Sequence, residues 1–538
     1  MRRGATARIR RALLGVVLVA LLGGPLAACT APPPARRDVV IGLSGEPTSI
    51  FGGEPAALVL AAAVTEELVR RNERDEYVPR LAVEVPTLGN GALRIVLDDP
   101  TAPTGRLVAT FRLRANLRWH DGAPLTTDDV AFAWQHERTL PPGLPARFLA
   151  DRVDRVEVLT DRVVRFHYRA GERWDGYPLA ARVLPRHRLA GATAAQWAVY
   201  ERELMHAGPF AVAAWLPGYG VTLSAFPGYA LGAPGLGRLE VRFYPDRAAV
   251  VEALRRGEVD VVPSPVFEAD LVRTLDGIAD GSDRSRLQAF YTAGEAVEML
   301  HFATRGERFG DVLVRRAVEL AVNRQAIVDL LLAGRARVPR DYLVPPLWAA
   351  TVSGQVARPD RDAARALLAR AGYTRGAFGV LERGAQRMVL LLLVAAGSPV
   401  RIDAARLVAG DLAAVGIAVE VRERPLSELL ATLRRGDWDL ALLARPADDP
   451  LAASLPWLGL SDPWFDLVVG AAGTAPDRAE QRLAWAEAQR LWAADLPGLP
   501  LYQRLAVDVA PRGLDGIRPA PGGAALTWNV AQWRFAAP

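Results

Sequence analysis

Between Met388 and Ala444 the order of apolar and polar residues admits few folds. Met388–Ala395 is a continuous apolar run of strand length. Ser398-Pro399 then supplies an N-cap and a proline at the first helical position, and 400–415 has helical periodicity. Ile417, Val419 and Val421 alternate as a strand, Leu426–Arg434 forms a second helix, and Trp438–Ala444 a third strand. Strand, helix, strand, helix, strand implies parallel pairing with right-handed crossovers. Sheets of that kind receive ligands beyond the carboxyl ends of their strands. Here those ends are Ala396-Gly397-Ser398 and Arg445-Pro446-Ala447-Asp448-Asp449-Pro450. Ser398 opens a helix N-terminus suited to an anion, or serves only as a cap. Asp448 and Asp449 suit an ammonium or hydroxylated ligand, or only begin a solvated turn.

The chain has 538 residues, which implies two or three domains. Arg2 to Arg11 is a basic segment, Ala12 to Leu22 is apolar, and Leu26-Ala27-Ala28-Cys29 follows. The apolar run is shorter than the roughly 20 residues that span a bilayer, so it indicates a signal peptide. The formal charge of +5 comes from arginines of that segment, since removing its five leaves 60 basic against 60 acidic residues. A balanced mature chain gives no reason to expect a nucleic-acid partner. Lysine is absent, so the chain has no Walker A loop, which needs a lysine to reach the phosphates. His120, His136, His167, His187, His206 and His301 are scattered without ligand-like spacing, and no metal or cofactor is expected from them. No G-x-S-x-G, H-E-x-x-H or C-x-x-C motif occurs, and no enzymatic activity is expected.

Residues 108–135 carry the most specific pattern. Val108, Thr110, Arg112 and Arg114 alternate with Ala109, Phe111, Leu113 and Ala115 as a strand with one apolar face. Asp121-Gly122 marks a turn. Thr126 or Thr127 offers an N-cap, with Asp128 and Asp129 in the first turn of the next helix. The order F-x-L-R (from Phe111), R-W-x-D-G-x-P (from Arg118) and D-D-V-x-F-x-W (from Asp128) closely resembles the signature of family 5 extracellular solute-binding proteins. These are the oligopeptide, dipeptide and nickel receptors of ABC importers. Further segments resemble the family in the same order: the loop Gly45-Glu46-Pro47-Thr48-Ser49, Leu184-Pro185-Arg186-His187, Gly208-Pro209-Phe210, Phe243-Tyr244-Pro245-Asp246 and Phe302-Ala303-Thr304-Arg305. Leu-Ala-Ala-Cys also resembles the lipobox of bacterial lipoproteins.

The resemblance implies an α/β, two-lobed periplasmic-binding-protein-like fold of class II with an extra domain inserted in the first lobe. A signal peptide (1–28) and a lipidated tether (29–37) would precede lobe I (38–62, 173–245 and 503–538), the inserted domain (63–172) and lobe II (246–502). Crossings between lobes are expected near Tyr244 and Tyr502, Ala56–Arg70 as one helix, and Val312–Leu332 as one long helix. The implied function is that of a solute-binding lipoprotein, anchored through Cys29 at the outer face of the cell membrane or in the periplasm. It would be a monomer that takes a peptide or other small polar solute and presents it to membrane permease subunits. Ligand contacts are expected from Asp448, Asp449, Trp457, His301, Ser398 and Glu46. Trp457 and Trp464 would stack on a ligand or fill a core. The family's peptide-anchoring Asp falls on Pro446, and the Asn of its F-N-T-R segment falls on Ala303. A scaffold or regulatory lipoprotein that has lost ligand binding is therefore the alternative.

Overall fold

The computed structural model describes residues 38–536 apart from 51–53, 75, 98–104, 141–147, 170–181, 204, 265–285, 346, 352–355, 447–462, 476–477 and 521–524. Cys29, Asp448, Asp449 and Trp457 lie outside the described residues.

The parallel segment forms as its pattern requires. Strand Val389–Ala395 pairs in parallel with both Ala418–Arg424 and Leu440–Pro446, with helices Pro399–Ala413 and Leu426–Arg435 as the crossovers. Leu390, Leu392 and Val394 pack with Ala404, Val408 and Leu412 on one face. Leu393 and Ala395 pack with Leu429 and Leu433 on the other. Burial on both faces is why the strand reads as unbroken apolar sequence. Two long strands, Leu287–Phe302 and Gly498–Pro511, complete this five-stranded sheet beside Leu440–Pro446.

A second sheet has the order Asp38–Ser44, Arg238–Tyr244, Gly220–Ala225, Phe210–Leu216. Its first two strands are parallel and the rest antiparallel. Ile41, Leu43 and Val241 meet Val59 and Leu60 of helix Pro55–Val64, and Val250 and Leu254 of helix Arg247–Arg256. A third, antiparallel sheet has the order Leu93–Val96, Arg106–Arg112, Val163–Tyr168, Val153–Thr160. Leu107, Ala109 and Phe111 face its core with Phe166 and with Val130 and Trp134 of helix Thr127–Glu137.

The signature within 108–135 is a local folding device. The buried Asp129 carboxylate accepts from the amides of Thr126 (2.9 Å) and Arg186 (2.9 Å) and from Trp119 Nε1 (3.3 Å). The motif's Trp and Asp thus lock a helix start, a turn and a distant loop together.

Three expectations are corrected. Helix Pro55–Val64 stops where the Thr65 hydroxyl donates to Ala61 O at 2.7 Å, and Val69–Arg71 is instead a strand paired with Tyr77–Pro79. The long helix divides into Val312–Ala321 and Arg324–Leu332, because the Asn323 side chain caps the second by accepting from Ala326 N. Passage between cores does not occur near Tyr244, since Arg247–Arg256 and Val259 to Val262 still pack in the first core. It occurs along Leu287–Phe302, where Leu287 is buried in the first core and Leu300 and Phe302 in the second. Gly498–Pro511 returns beside it, from Leu499, Leu501 and Tyr502 to Val507 and Val509.

A buried ion pair joins the third core to the first. Glu66, just after helix Pro55–Val64, accepts from Arg80 Nε (3.1 Å) and Nη2 (2.9 Å) and from the Tyr229 hydroxyl (2.5 Å). Burial would push its carboxyl up, but Arg80 and Arg70 outweigh that and hold it at about 2, against an ordinary 4.5. A lowered folded-state value means stability present above pH 4.5 and lost as pH falls toward 2, about 3 kcal/mol in all. Glu66→Gln should cost roughly 3–5 kcal/mol at neutral pH, because it leaves Arg80 buried and unpaired. Urea denaturation should show that deficit shrinking below pH 4.5; a neutral-pH loss under about 1 kcal/mol, the worth of an exposed pair, would count against it.

Candidate functional site

The carboxyl ends of the parallel strands locate two loop edges. In the first sheet, Asp38–Ser44 and Arg238–Tyr244 end together. Glu46 stands exposed just beyond, and its carboxylate accepts from Trp215 Nε1 (2.6 Å) and Gly218 N (2.7 Å). Glu46 therefore ties the loop to the neighbouring hairpin Phe210–Ala225.

In the second sheet, Ser398 caps helix Pro399–Ala413, its hydroxyl accepting from Arg401 N at 3.4 Å. The Arg401 side chain turns back beneath that cap. It donates to Ala395 O (3.3 Å) at the end of the central strand and to both oxygens of Glu298 (2.5 and 3.4 Å). Glu298 is 1% exposed and also lies 3.9 Å from Arg504. Its strand changes register against Gly498–Pro511 between Ala293 and Val297 and again between Glu298 and Met299. At the first shift Gln503 Nε2 donates to Gly294 O (2.8 Å) and Pro345 O (2.6 Å). The structure thus gathers Ser398, Arg401, Glu298, Arg504 and Gln503 at one edge, where the two crossing strands are irregular.

His301 lies on the Leu287–Phe302 strand and is buried, with Nε2 lacking a hydrogen-bond partner. Burial, and then the charge of Arg445, push its ring down to about 3, so it is neutral at physiological pH. Arg445 itself is buried near the end of Leu440–Pro446. Trp464, half exposed, begins helix Pro463–Thr474. Glu298, Arg401, Gln503 and Arg445 were not singled out from sequence. The available signal was a charge inside an apolar strand, Glu298 between Val297 and Met299 and Arg445 after Leu440 to Ala444.

A cavity of about 770 Å³ lies elsewhere, on the polar face of the third sheet among Arg94, Arg106, Arg112, Arg155, Arg165 and His167. Among the described residues no three His, Cys, Asp or Glu side chains converge as a metal set, and no helix is long and apolar enough to cross a membrane.

The family model of bacterial extracellular solute-binding proteins, family 5 Middle, matches residues 76–465. The oligopeptide-binding protein AppA of Bacillus subtilis is 23% identical over 529 residues, covering 94% of this chain and 92% of that protein. Among solved structures, the oligopeptide-binding protein from Thermus thermophilus, complexed with a pentapeptide, aligns with a TM-score of 0.65 and 21% identity over 93% of this chain and 96% of the other. NikA from Brucella suis, in complex with Fe(III)-EDTA, aligns with a TM-score of 0.74 and 19% identity over 92% of this chain and 100% of the other. Both solved structures share the two-lobed fold.

The buried Glu298–Arg401 pair makes a quantitative prediction. Glu298→Ala should cost roughly 3–5 kcal/mol, chiefly from the guanidinium left unpaired. The double variant Glu298→Leu with Arg401→Met should recover most of that loss. Equal losses in the single and double variants, measured by urea denaturation, would show that packing rather than charge is at stake.

Proposed function

The chain belongs to the family 5 bacterial extracellular solute-binding proteins, and from that premise we propose that it is the lipid-anchored receptor of an ABC importer, binding a peptide or another small polar solute between two lobes that close on it. Members of this family bind solutes and are not enzymes. The observation that carries the reading is the pair of strands Leu287–Phe302 and Gly498–Pro511. They link two sheets whose parallel strands both end in loops. Such a link can absorb a rotation in a few backbone dihedrals while each core stays packed. Closure then needs only contacts that exist in the closed state, and no chemistry is done on the solute.

In this reading the lobes follow the divisions expected from sequence, with the passage between them moved to Leu287–Phe302. Asp448 and Asp449 hold an ammonium or hydroxyl group of the solute, and Trp457 stacks on it. Ser398 and Glu46 order the loops on either side, and His301 lines the floor. The receptor acts as a monomer, with the permease as partner and Cys29 as the membrane attachment. A second reading, a scaffold that has lost its ligand, draws support from Pro446 and Ala303, which stand where the family places its Asp and Asn.

Native mass spectrometry of gently purified protein separates the readings, since a receptor should carry a defined solute and a scaffold none. With that solute, calorimetry of Asp448→Asn or Asp449→Asn should show at least a tenfold weaker affinity, about 1.4 kcal/mol. Unchanged affinity in both folded variants would remove the carboxylate anchor.

Attachment is tested separately. Cys29→Ala should abolish acyl-lipid labelling and release the protein from the membrane fraction, because the thioether to lipid has no other thiol to form on. Equal label in variant and wild type would overturn the anchor.

A further inference from the structure

We propose that Arg445 anchors a carboxylate group of the solute at the carboxyl end of strand Leu440–Pro446; this deepens the receptor reading and rests on it. Arg445 is 6% exposed. Its strand runs on past Leu442, the last residue paired with Val389–Ala395, so Arg445 lies beyond the end of the parallel pairing. Across the antiparallel pair it shares a face with Val297, opposite the register shift in the crossing strand. Val297 packs there with Tyr342, Phe465, Trp485 and Trp492.

The guanidinium stands apart from the other buried arginines. Arg80, Arg315 and Arg401, equally buried, each face a carboxylate: Glu66, Asp495 and Glu298. Arg324, whose Nε also lacks a partner, is held instead by the carbonyls of Pro339 and Pro500 through Nη1. Arg445 Nη2 is buried with no hydrogen-bond partner, and among the described residues no carboxylate forms an ion pair with the guanidinium. Burial lowers Arg445 only to about 10, so it keeps its charge at neutral pH. Among the described residues the polar group that favours this charge is the Tyr342 phenol, a neutral dipole, and a buried guanidinium without an anion costs several kcal/mol. His301, on the same face, adds a second buried nitrogen without a partner.

The charge count selects the chemistry. One guanidinium offers a planar fork that matches one carboxylate and neutralises one negative charge. A phosphate dianion would leave a net negative charge in the same apolar surround. The remaining lone pairs of a carboxylate are enough to reach a second donor.

Thermal unfolding with acetate as the probe tests this, against chloride at equal ionic strength and against acetamide as the neutral analogue. Wild-type protein should melt about 2 °C or more higher in saturating acetate, with no such rise in acetamide. Arg445→Met and Arg445→Gln should both lose the response. Arg445→Met should also melt above wild type in chloride, because it removes an unpaired buried charge. Wild type and both variants responding alike to acetate, or no acetate response in wild type, overturns the proposal. A defined co-purifying solute with no acetate effect would overturn this site and leave the receptor standing. An Arg445-dependent acetate effect in protein that carries no solute would do the reverse.

Discussion

The antiparallel ladder between Leu287–Phe302 and Gly498–Pro511 is the constraint on which the rest of the structure depends. Each strand belongs to two cores in turn, so neither core is complete without backbone that also serves the other. Its hydrogen bonds set the register, from Leu287 opposite Pro511 to His301 opposite Gly498. The pairing lapses near Gly294. A Cβ there would meet Arg504 O at 3.0 Å, a tight contact that glycine avoids where the two backbones approach. Gln503 supplies a side-chain amide to the Gly294 carbonyl where a ladder bond is missing. The two cores are therefore joined by a link that is hydrogen-bonded on either side of its centre yet irregular within it.

Buried carboxylates mark the seams between elements, and each is held by a different chemistry. Asp129 uses two backbone amides and an indole, Glu66 two arginines and a phenol, and Glu298 two arginines. Burial disfavours the charged form of Glu66 and of Asp129, and the partners decide the outcome. At Glu66 cationic partners reverse the effect of burial. At Asp129, whose partners are mostly neutral dipoles, burial still raises the carboxyl above its ordinary value. Such groups add little net stability over apolar packing, but a misplaced partner strands a charge, and that penalty fixes how the elements fit.

Much of the fold was legible because it rests on local signals. The parallel unit could be read from Met388 to Ala444, since its periods and its Ser398-Pro399 cap are local. Ser398 as a cap and a helix start at Thr126 or Thr127 were legible for the same reason, and the helix begins after Thr126. What could not be read depends on distance. Val312–Leu332 keeps one apolar stripe across two helices because both pack on the same core, so only the cap at Asn323 reveals the break. Helix Pro55–Val64 ends as the chain delivers Glu66 to Arg80, 14 residues on. The crossing strand hides because Gly294 and Glu298 interrupt its alternation, and the arginine that explains Glu298 lies 103 residues away.

The same distance effect decides what the candidate site can still recognise. Glu46 is committed to Trp215 and Gly218, Ser398 to its helix, and Glu298 to Arg401 and Arg504. A group already paired inside the fold gives a ligand little, because binding must first break a bond of similar worth. Recognition energy must come from groups whose valence the fold leaves open. Among the described residues at the second sheet's edge, that condition is met by a buried cation and a neutral ring nitrogen on one face of one strand pair. An apolar surround makes the open valence count for more, since the low dielectric that penalises a lone charge also strengthens its bond to an opposite one.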